Sequence, residues 1–152
     1  MRIKAASGID LKALCEIENE VFDKNSYALS YKNFLYHIGK NPLFVCEIDN
    51  KTAGYILLLK QKQSSKTRIY SIAVKKEFQS RGVGIRLLEK SFTWAEENGK
   101  KAIKLEVNAA NFSAIKLYKK AGFVKIGVLT NYYPDGANAI LMEKLLDIKN
   151  AL

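Results

Sequence analysis

The 152-residue chain has one histidine and two cysteines, which leaves little material for a metal centre or a disulfide framework. Neither cysteine belongs to a Cys-x-x-Cys pair. Cys15 and Cys46 each sit in an apolar pattern, as reduced, buried thiols do. There are two prolines, and no Pro- or Ser-rich linker divides the chain. No repeat recurs at a solenoid period. The longest apolar runs, such as Ala53-Gly54-Tyr55-Ile56-Leu57-Leu58-Leu59, fall well short of the roughly 20 residues a membrane-spanning helix needs. Met1-Arg2-Ile3-Lys4-Ala5-Ala6 contains no apolar core of signal-peptide length. These absences lead us to expect one cytoplasmic domain over residues 1–152, without metal and without a membrane partner.

What is present is globular in proportion, with 48% hydrophobic and 26% charged residues. The formal charge is +10. Lysine supplies most of it, scattered in pairs such as Lys75-Lys76, Lys100-Lys101 and Lys119-Lys120. Nucleic-acid sites gather arginines and aromatics on one face, so the charge reads first as a lysine-rich solvated surface. A basic nucleic-acid-binding module is the alternative from another class. The charge still favours anionic ligands, a phosphorylated cofactor among them.

Periodicity then gives the elements. Arg2 to Ala5 is a short strand. Ser7-x-x-Asp10 reads as a capping box opening a helix with Ile9, Leu14, Ile17, Val21 and Phe22 on one face. Glu16, Glu18 and Glu20 read first as its solvated side, with attraction of a cationic ligand as the functional alternative. After the connector Tyr27-Ala28-Leu29, Ser30 caps a second helix carrying Phe34, Leu35 and Ile38, stopped at Gly39. Leu43 to Ile48 and Ala53 to Lys60 form a hairpin about the turn Asp49-Asn50-Lys51. Thr67 to Val74 is a β-branched strand. Val83, Leu87, Leu88, Phe92 and Ala95 recur at helical spacing until Gly99, and Ala102 to Val107 alternates as a strand. Asn111 caps a helix with Ala114, Leu117, Tyr118 and Ala121 on one face, ending at Gly122. Phe123 to Leu129 and Ala139 to Leu145 close the sheet around a turn-rich loop, Thr130 to Asn138. The order β-α-α-β-β-β-α-β-α-β-β implies an α/β (α+β) fold, a mixed sheet with helices on both faces.

One segment carries ligand chemistry. The strand through Ile72, Ala73 and Val74 feeds Gln79-Ser80-Arg81-Gly82-Val83-Gly84 into a helix. A glycine loop at a helix N-terminus offers free N–H groups and the positive end of the helix dipole, a phosphate site. Leu87 stands where a dinucleotide fingerprint wants a third small residue, and there is no Gly-Lys-Ser/Thr P-loop. Read alone, the loop is equally a plain helix start.

Gln79-x-x-Gly82-x-Gly84 after a strand resembles the Gln/Arg-x-x-Gly-x-Gly/Ala pyrophosphate loop of the GNAT acetyltransferases. The element order is similar to that fold over nearly the whole chain. A second block, Leu105-Glu106-Val107-Asn108 through Asn111, Ala114, Tyr118 and Gly122-Phe123, resembles the branch that acetylates protein N-termini, bacterial ribosomal-protein-alanine acetyltransferases included. Asn131-Tyr132-Tyr133-Pro134-Asp135-Gly136 is similar to that branch's substrate loop.

The resemblance implies a GNAT fold: a sheet of about seven strands and about four helices, splayed where acetyl-coenzyme A enters. It implies that Ile72, Ala73 and Val74 pair through their backbone with the pantetheine arm. It implies that Gln79, Ser80, Arg81, Gly82, Val83 and Gly84 form the pyrophosphate loop, the N–H groups from Arg81 through Gly84 cradling the phosphates. Asn111 and Tyr118 would face the cofactor near the thioester. The acceptor is then an amine, a protein N-terminus such as that of a ribosomal protein in the matching branch. Such an amine is largely protonated at neutral pH, so a base must take a proton and the thiolate gains from a donor. Glu106 is the candidate base, Tyr118 the candidate acid, and the Val74 N–H the candidate donor to the oxyanion. Tyr27, Tyr132 and Tyr133 are candidate acceptor contacts beside Glu106.

Taken without the resemblance, Glu106 is a solvated strand carboxylate, Tyr118 a core tyrosine, and the paired tyrosines a loop cover. The connector Asp23 to Ser30 lacks the Pro-Trp-Ser type of sequence found in many N-terminal-alanine acetyltransferases. A small-molecule amine or a lysine side chain therefore stands beside the protein N-terminus as an acceptor.

Overall fold

A computed structural model describes residues 1–22 and 28–147 of the chain. Its elements are β1 (Arg2–Ala5), α1 (Leu11–Val21), α2 (Tyr31–His37), β2 (Leu43–Ile48), β3 (Lys51–Leu59), β4 (Lys66–Val74), α3 (Val83–Glu97), β5 (Ala102–Asn108), α4 (Phe112–Lys120), β6 (Val124–Leu129) and β7 (Ala139–Leu145). The seven strands form one sheet in the order β1-β2-β3-β4-β5-β7-β6. Every neighbouring pair is antiparallel except β4 and β5. The mixed sheet and its four helices match the expected fold.

Local chemistry accounts for the turns. Asp49 and Asn50 both adopt positive φ, 50° and 63°, the left-handed pair that a two-residue hairpin turn requires between β2 and β3. Ser30 caps α2 by accepting from the Asn33 N–H at 3.2 Å, and the Ser30 N–H donates to Asn33 Oδ1 at 3.0 Å.

Each face of the sheet is covered by helices. On one side α1 and α2 bury Leu14, Ile17 and Phe34 against Val45, Tyr55 and Leu57. On the other, α3 and α4 pack Leu87, Leu88 and Tyr118 against Ile56, Leu58, Ile103 and Leu105. Burying a side chain of this size contributes about 1.5–3 kcal/mol relative to leaving it in water.

Five positions differ from their sequence reading, the first being Cys15, which is only half-buried while Cys46 is fully buried. Ile9 is 84% exposed, because the chain enters α1 through a short 3-10 turn, Gly8–Asp10, which swings Ile9 outward and leaves Leu11 to start the buried stripe. Leu35 is exposed, since Phe34 alone fills the space under the seven-residue α2. Lys100 is buried, with its ammonium donating to the Gln61 and Ser64 carbonyls at 2.9 and 2.8 Å, and so clamps the turn before β4. Glu18, read as part of a solvated acidic face, is 1% exposed. No helix among the described residues is long and apolar enough to cross a membrane.

Candidate active site

Among the described residues, the sheet splays open between β4 and β5. β4 and β5 pair only through Lys66–Arg68 and Ala102–Lys104, although both strands continue for several residues beyond. Past that point they diverge, and a cleft of about 640 Å³ opens between them. Strand residues Arg68 to Ile72 and Leu105 to Asn108 line it. Val21 and Phe22 at the end of α1, Ala110, Asn111, Ala114 and Tyr118 of the α4 region, and Tyr132 and Tyr133 of the β6–β7 loop, complete the wall.

The exposed edge of β4 carries unpaired backbone groups there. Hydrogen bonding in an antiparallel ladder alternates, and the Lys75 N–H donates to the Ala53 carbonyl at 2.8 Å. That phase turns the N–H groups of Ile72 and Val74 away from β3, towards the gap. The Val74 carbonyl on the same edge accepts from the Gln79 side-chain amide at 3.0 Å.

From the end of β4 the chain runs to the glycine loop. Two residues of that loop take left-handed backbone, Ser80 at φ 64° and Gly82 at φ 83°; such geometry is strained for serine and free for glycine. Gly82 is the N-cap of α3, and its carbonyl accepts the first helical bond, from the Arg86 N–H at 3.1 Å. The N–H groups at the head of α3 before Arg86 therefore lack helical partners. An alanine at Gly84 would place its Cβ 3.0 Å from Leu117 Cδ2, so this glycine also permits α3 and α4 to pack closely. Loop, helix terminus and free strand edge together fit an elongated ligand ending in phosphates.

Glu106 projects from β5 into the cleft and is ion-paired with Arg68 of β4 across the gap. Both side chains are largely buried, and Arg68 Nε is enclosed without a hydrogen-bond partner. Tyr118, 7% exposed, reaches the cleft from α4 and packs edge-on to Phe123 at 5.8 Å. Burial pushes its phenol well above the ordinary tyrosine range, with Tyr133 reinforcing the effect, so it keeps its proton at neutral pH. Asn111 caps α4: its Oδ1 accepts from the Ala114 N–H at 3.2 Å, which leaves its amide hydrogens to offer. Tyr132 and Tyr133 meet edge to face at 5.0 Å.

Of the residues singled out in the sequence, the cleft thus brings together Ile72, Glu106, Asn111, Tyr118, Tyr132 and Tyr133. Ala73, Val74 and the loop Gln79, Ser80, Arg81, Gly82, Val83 and Gly84 lie outside its lining. The Ala73 and Val83 side chains are buried in the two cores, so only their backbone is placed for a ligand. Tyr27 lies outside the described residues.

The sequence reading missed four residues. Arg68 sits in a strand where nothing marks it as the partner of Glu106. Ser71 lines the cleft, and its hydroxyl meets the Tyr55 hydroxyl at 2.8 Å. Tyr55 donates in turn to the buried carboxylate of Glu18. A signal for Glu18 existed: Leu11, Leu14, Glu18 and Val21 follow the spacing of one helix stripe, so a carboxylate falls among apolar positions.

Comparisons with known proteins place this geometry. The model of the acetyltransferase (GNAT) family matches residues 11–123. An N-alpha-acetyltransferase of Sulfurisphaera tokodaii is 33% identical over 93% of this chain and 90% of its own. The [ribosomal protein bS18]-alanine N-acetyltransferase of Escherichia coli is 32% identical over 92% of this chain and 94% of its own. A crystal structure of the ribosomal-protein-S18-alanine N-acetyltransferase from Escherichia coli superposes with a TM-score of 0.84, covering 99% of this chain and 97% of that one, at 29% identity.

Proposed function

Because the chain belongs to the GNAT acetyltransferase family and is an N-acetyltransferase, we propose that it transfers the acetyl group of acetyl-coenzyme A to a peptide or protein N-terminal amine, with Glu106 as base and Tyr118 as acid. The observation that carries this reading is that Glu106 of β5 and Tyr118 of α4 both line the gap where β4 and β5 part. Acetyl-coenzyme A supplies an acetyl thioester, the electrophile.

The remaining work falls to this chain. The free N–H groups of Ile72 and Val74 hold an amide-bearing arm along β4, and the Val74 N–H meets negative charge as it builds on the carbonyl oxygen. The loop from Gln79 to Gly84 and the head of α3 hold the phosphates. Glu106 removes a proton from the amine, directly or through one water. The amine nitrogen bonds to the thioester carbon and the carbon–sulfur bond breaks; Tyr118, protonated at neutral pH, delivers a proton to the departing sulfur and regains one from the nitrogen, which sheds its second proton as it becomes an amide. Arg68 fixes the Glu106 carboxylate at the cleft wall and gives it up as the cationic amine arrives. Tyr132 and Tyr133 close over the acceptor.

An N-terminal amine is preferred because the relatives above are named for α-amine and alanine acetylation, and because the cleft has a wall of paired tyrosines suited to a peptide. A ribosomal protein is one such acceptor. The test is thiol release from acetyl-coenzyme A across peptides with different first residues, lysine peptides and small amines. Release with α-amine peptides supports the reading. Release confined to small amines or lysine side chains replaces the acceptor, and no release with any amine overturns it.

A further inference from the structure

The carboxylate of Glu18 is buried beneath α1, yet it is joined to the cleft by a chain of hydroxyls. One carboxylate oxygen accepts from the Leu29 N–H at 2.7 Å, and the other from the Tyr55 hydroxyl. The Tyr55 oxygen contacts Ser71 Oγ at 2.8 Å, and Ser71, like Glu106, lines the cleft. Tyr55 is fully buried and its ring is held edge-on by Phe34 at 5.3 Å.

The chain has a direction. An ionised carboxylate only accepts, so the single Tyr55 proton goes to Glu18. Ser71 must then donate its own proton to the Tyr55 oxygen. Its lone pairs are left facing the cleft, polarised by a negative charge two bonds away. A carboxylate on an apolar helix stripe costs desolvation that a leucine would avoid, so packing alone gives no reason for it.

We infer that Glu18, acting through Tyr55, fixes the Ser71 hydroxyl as a hydrogen-bond acceptor in the cleft wall, which holds an N–H of the incoming amine acceptor. Glu18 and Tyr55 are positioning residues, and Ser71 is the contact. The inference rests on the proposed acetyl transfer and adds to it the group that orients the nucleophile. It also gives a reason for the polarity of the chain, since an ammonium or amine needs an acceptor and is repelled by a donor.

Glu18→Gln tests the polarity with little change of shape. The Leu29 N–H still requires the side-chain oxygen, so the amide hydrogens must face Tyr55. Tyr55 then donates to Ser71, whose proton turns into the cleft. Ser71→Ala removes the contact, and Tyr55→Phe cuts it from Glu18. The measurement is steady-state kinetics at saturating acetyl-coenzyme A with the best amine of the panel above, with calorimetric binding of acetyl-coenzyme A to each variant. Hydrogen bonds to charged groups contribute about 1.5–3 kcal/mol, so Ser71→Ala and Glu18→Gln should raise the acceptor KM by roughly 10- to 100-fold. Tyr55→Phe should raise it less, and kcat and donor affinity should stay within about twofold.

Unchanged acceptor KM in Ser71→Ala overturns the inference while leaving the proposed function intact. A joint fall in kcat, donor affinity and thermal midpoint across the variants makes the network a structural brace and overturns it as well. If Glu18→Gln fails to fold, Ser71→Ala and Tyr55→Phe decide the matter. Absence of turnover with every amine defeats the proposed function first, and the inference with it.

Discussion

Arg68 of β4 and Glu106 of β5 form an ion pair at the point where their strands cease to pair. The pair bridges the gap where it begins, and Arg68 also lies over the Tyr70 ring at 5.9 Å. Guanidinium geometry matters here, because a planar fork can fix a carboxylate that a lysine would only neutralise. Replacing Arg68 by leucine should lower kcat/KM for the acceptor by roughly 10- to 100-fold through misplacement of Glu106, with donor affinity unchanged. Arg68→Lys should recover only part of the loss. Rates equal to the parent's for both variants would reduce the bridge to a surface ion pair.

Much of the fold was legible because its elements declare themselves locally. The stripe Leu87, Leu88 and Ala95 and the alternation of Ile103, Leu105 and Val107 each bury the side they predict. The turn at Asp49-Asn50 and the cap at Asn111 depend on residues adjacent in the chain. Glu106 and Tyr118 could be named from the resemblance, as base and acid of one site; periodicity alone made them a solvated carboxylate and a core tyrosine. The Arg68–Glu106 pair was illegible, since it depends on strand order and on where two non-consecutive strands part. The Glu18–Tyr55–Ser71 chain joins three elements that only tertiary packing brings together. Ile9 misled because its apolar side chain fits the helix period while a 3-10 turn shifts the actual start.

Tyr118 is buried against Phe123, so Tyr118→Phe removes one hydroxyl and keeps the ring packing. Its thermal midpoint should stay close to the parent's while kcat falls by about 10²-fold, the usual loss for a positioned acid. A variant with normal turnover, or one that unfolds, would return Tyr118 to the core.

At Gly82 the backbone is left-handed and an added Cβ would meet no atom within 4 Å. Gly82→Ala therefore strains the backbone by about 1–2 kcal/mol without a clash. The loop should relax and weaken acetyl-coenzyme A binding by roughly tenfold, with kcat at saturating donor little changed. Gly84 is the poorer probe because its Cβ would press on Leu117. Equal calorimetric affinity of Gly82→Ala and parent would remove the loop from the donor site.

Burial raises the pKa of Glu18 above the usual glutamate value, opposed by the hydrogen bonds from Tyr55 and the Leu29 N–H. A carboxyl raised in this way binds its proton more tightly in the folded chain than in the unfolded one. Its contribution to stability is greatest below the ordinary glutamate pKa and is lost as pH rises through the folded value. The stability of the parent relative to Glu18→Gln should accordingly decline as pH rises from about 4 towards neutrality. Urea unfolding of both proteins at several pH values measures it; a difference that grows with pH would reverse the assignment.

The central claim is that Glu106 takes the proton of the amine, and Glu106→Gln addresses it most directly. Glutamine keeps the shape and cannot accept a proton at neutral pH. The decisive measurement is kcat/KM against pH for parent and variant with one good α-amine acceptor. The variant should fold, bind acetyl-coenzyme A as the parent does, and lose about 10²- to 10⁴-fold in rate near neutrality. That deficit should shrink as pH approaches the amine's own pKa of about 8, where the nucleophile arrives already deprotonated. Profiles of equal height, or profiles parallel at every pH, would contradict a base at Glu106.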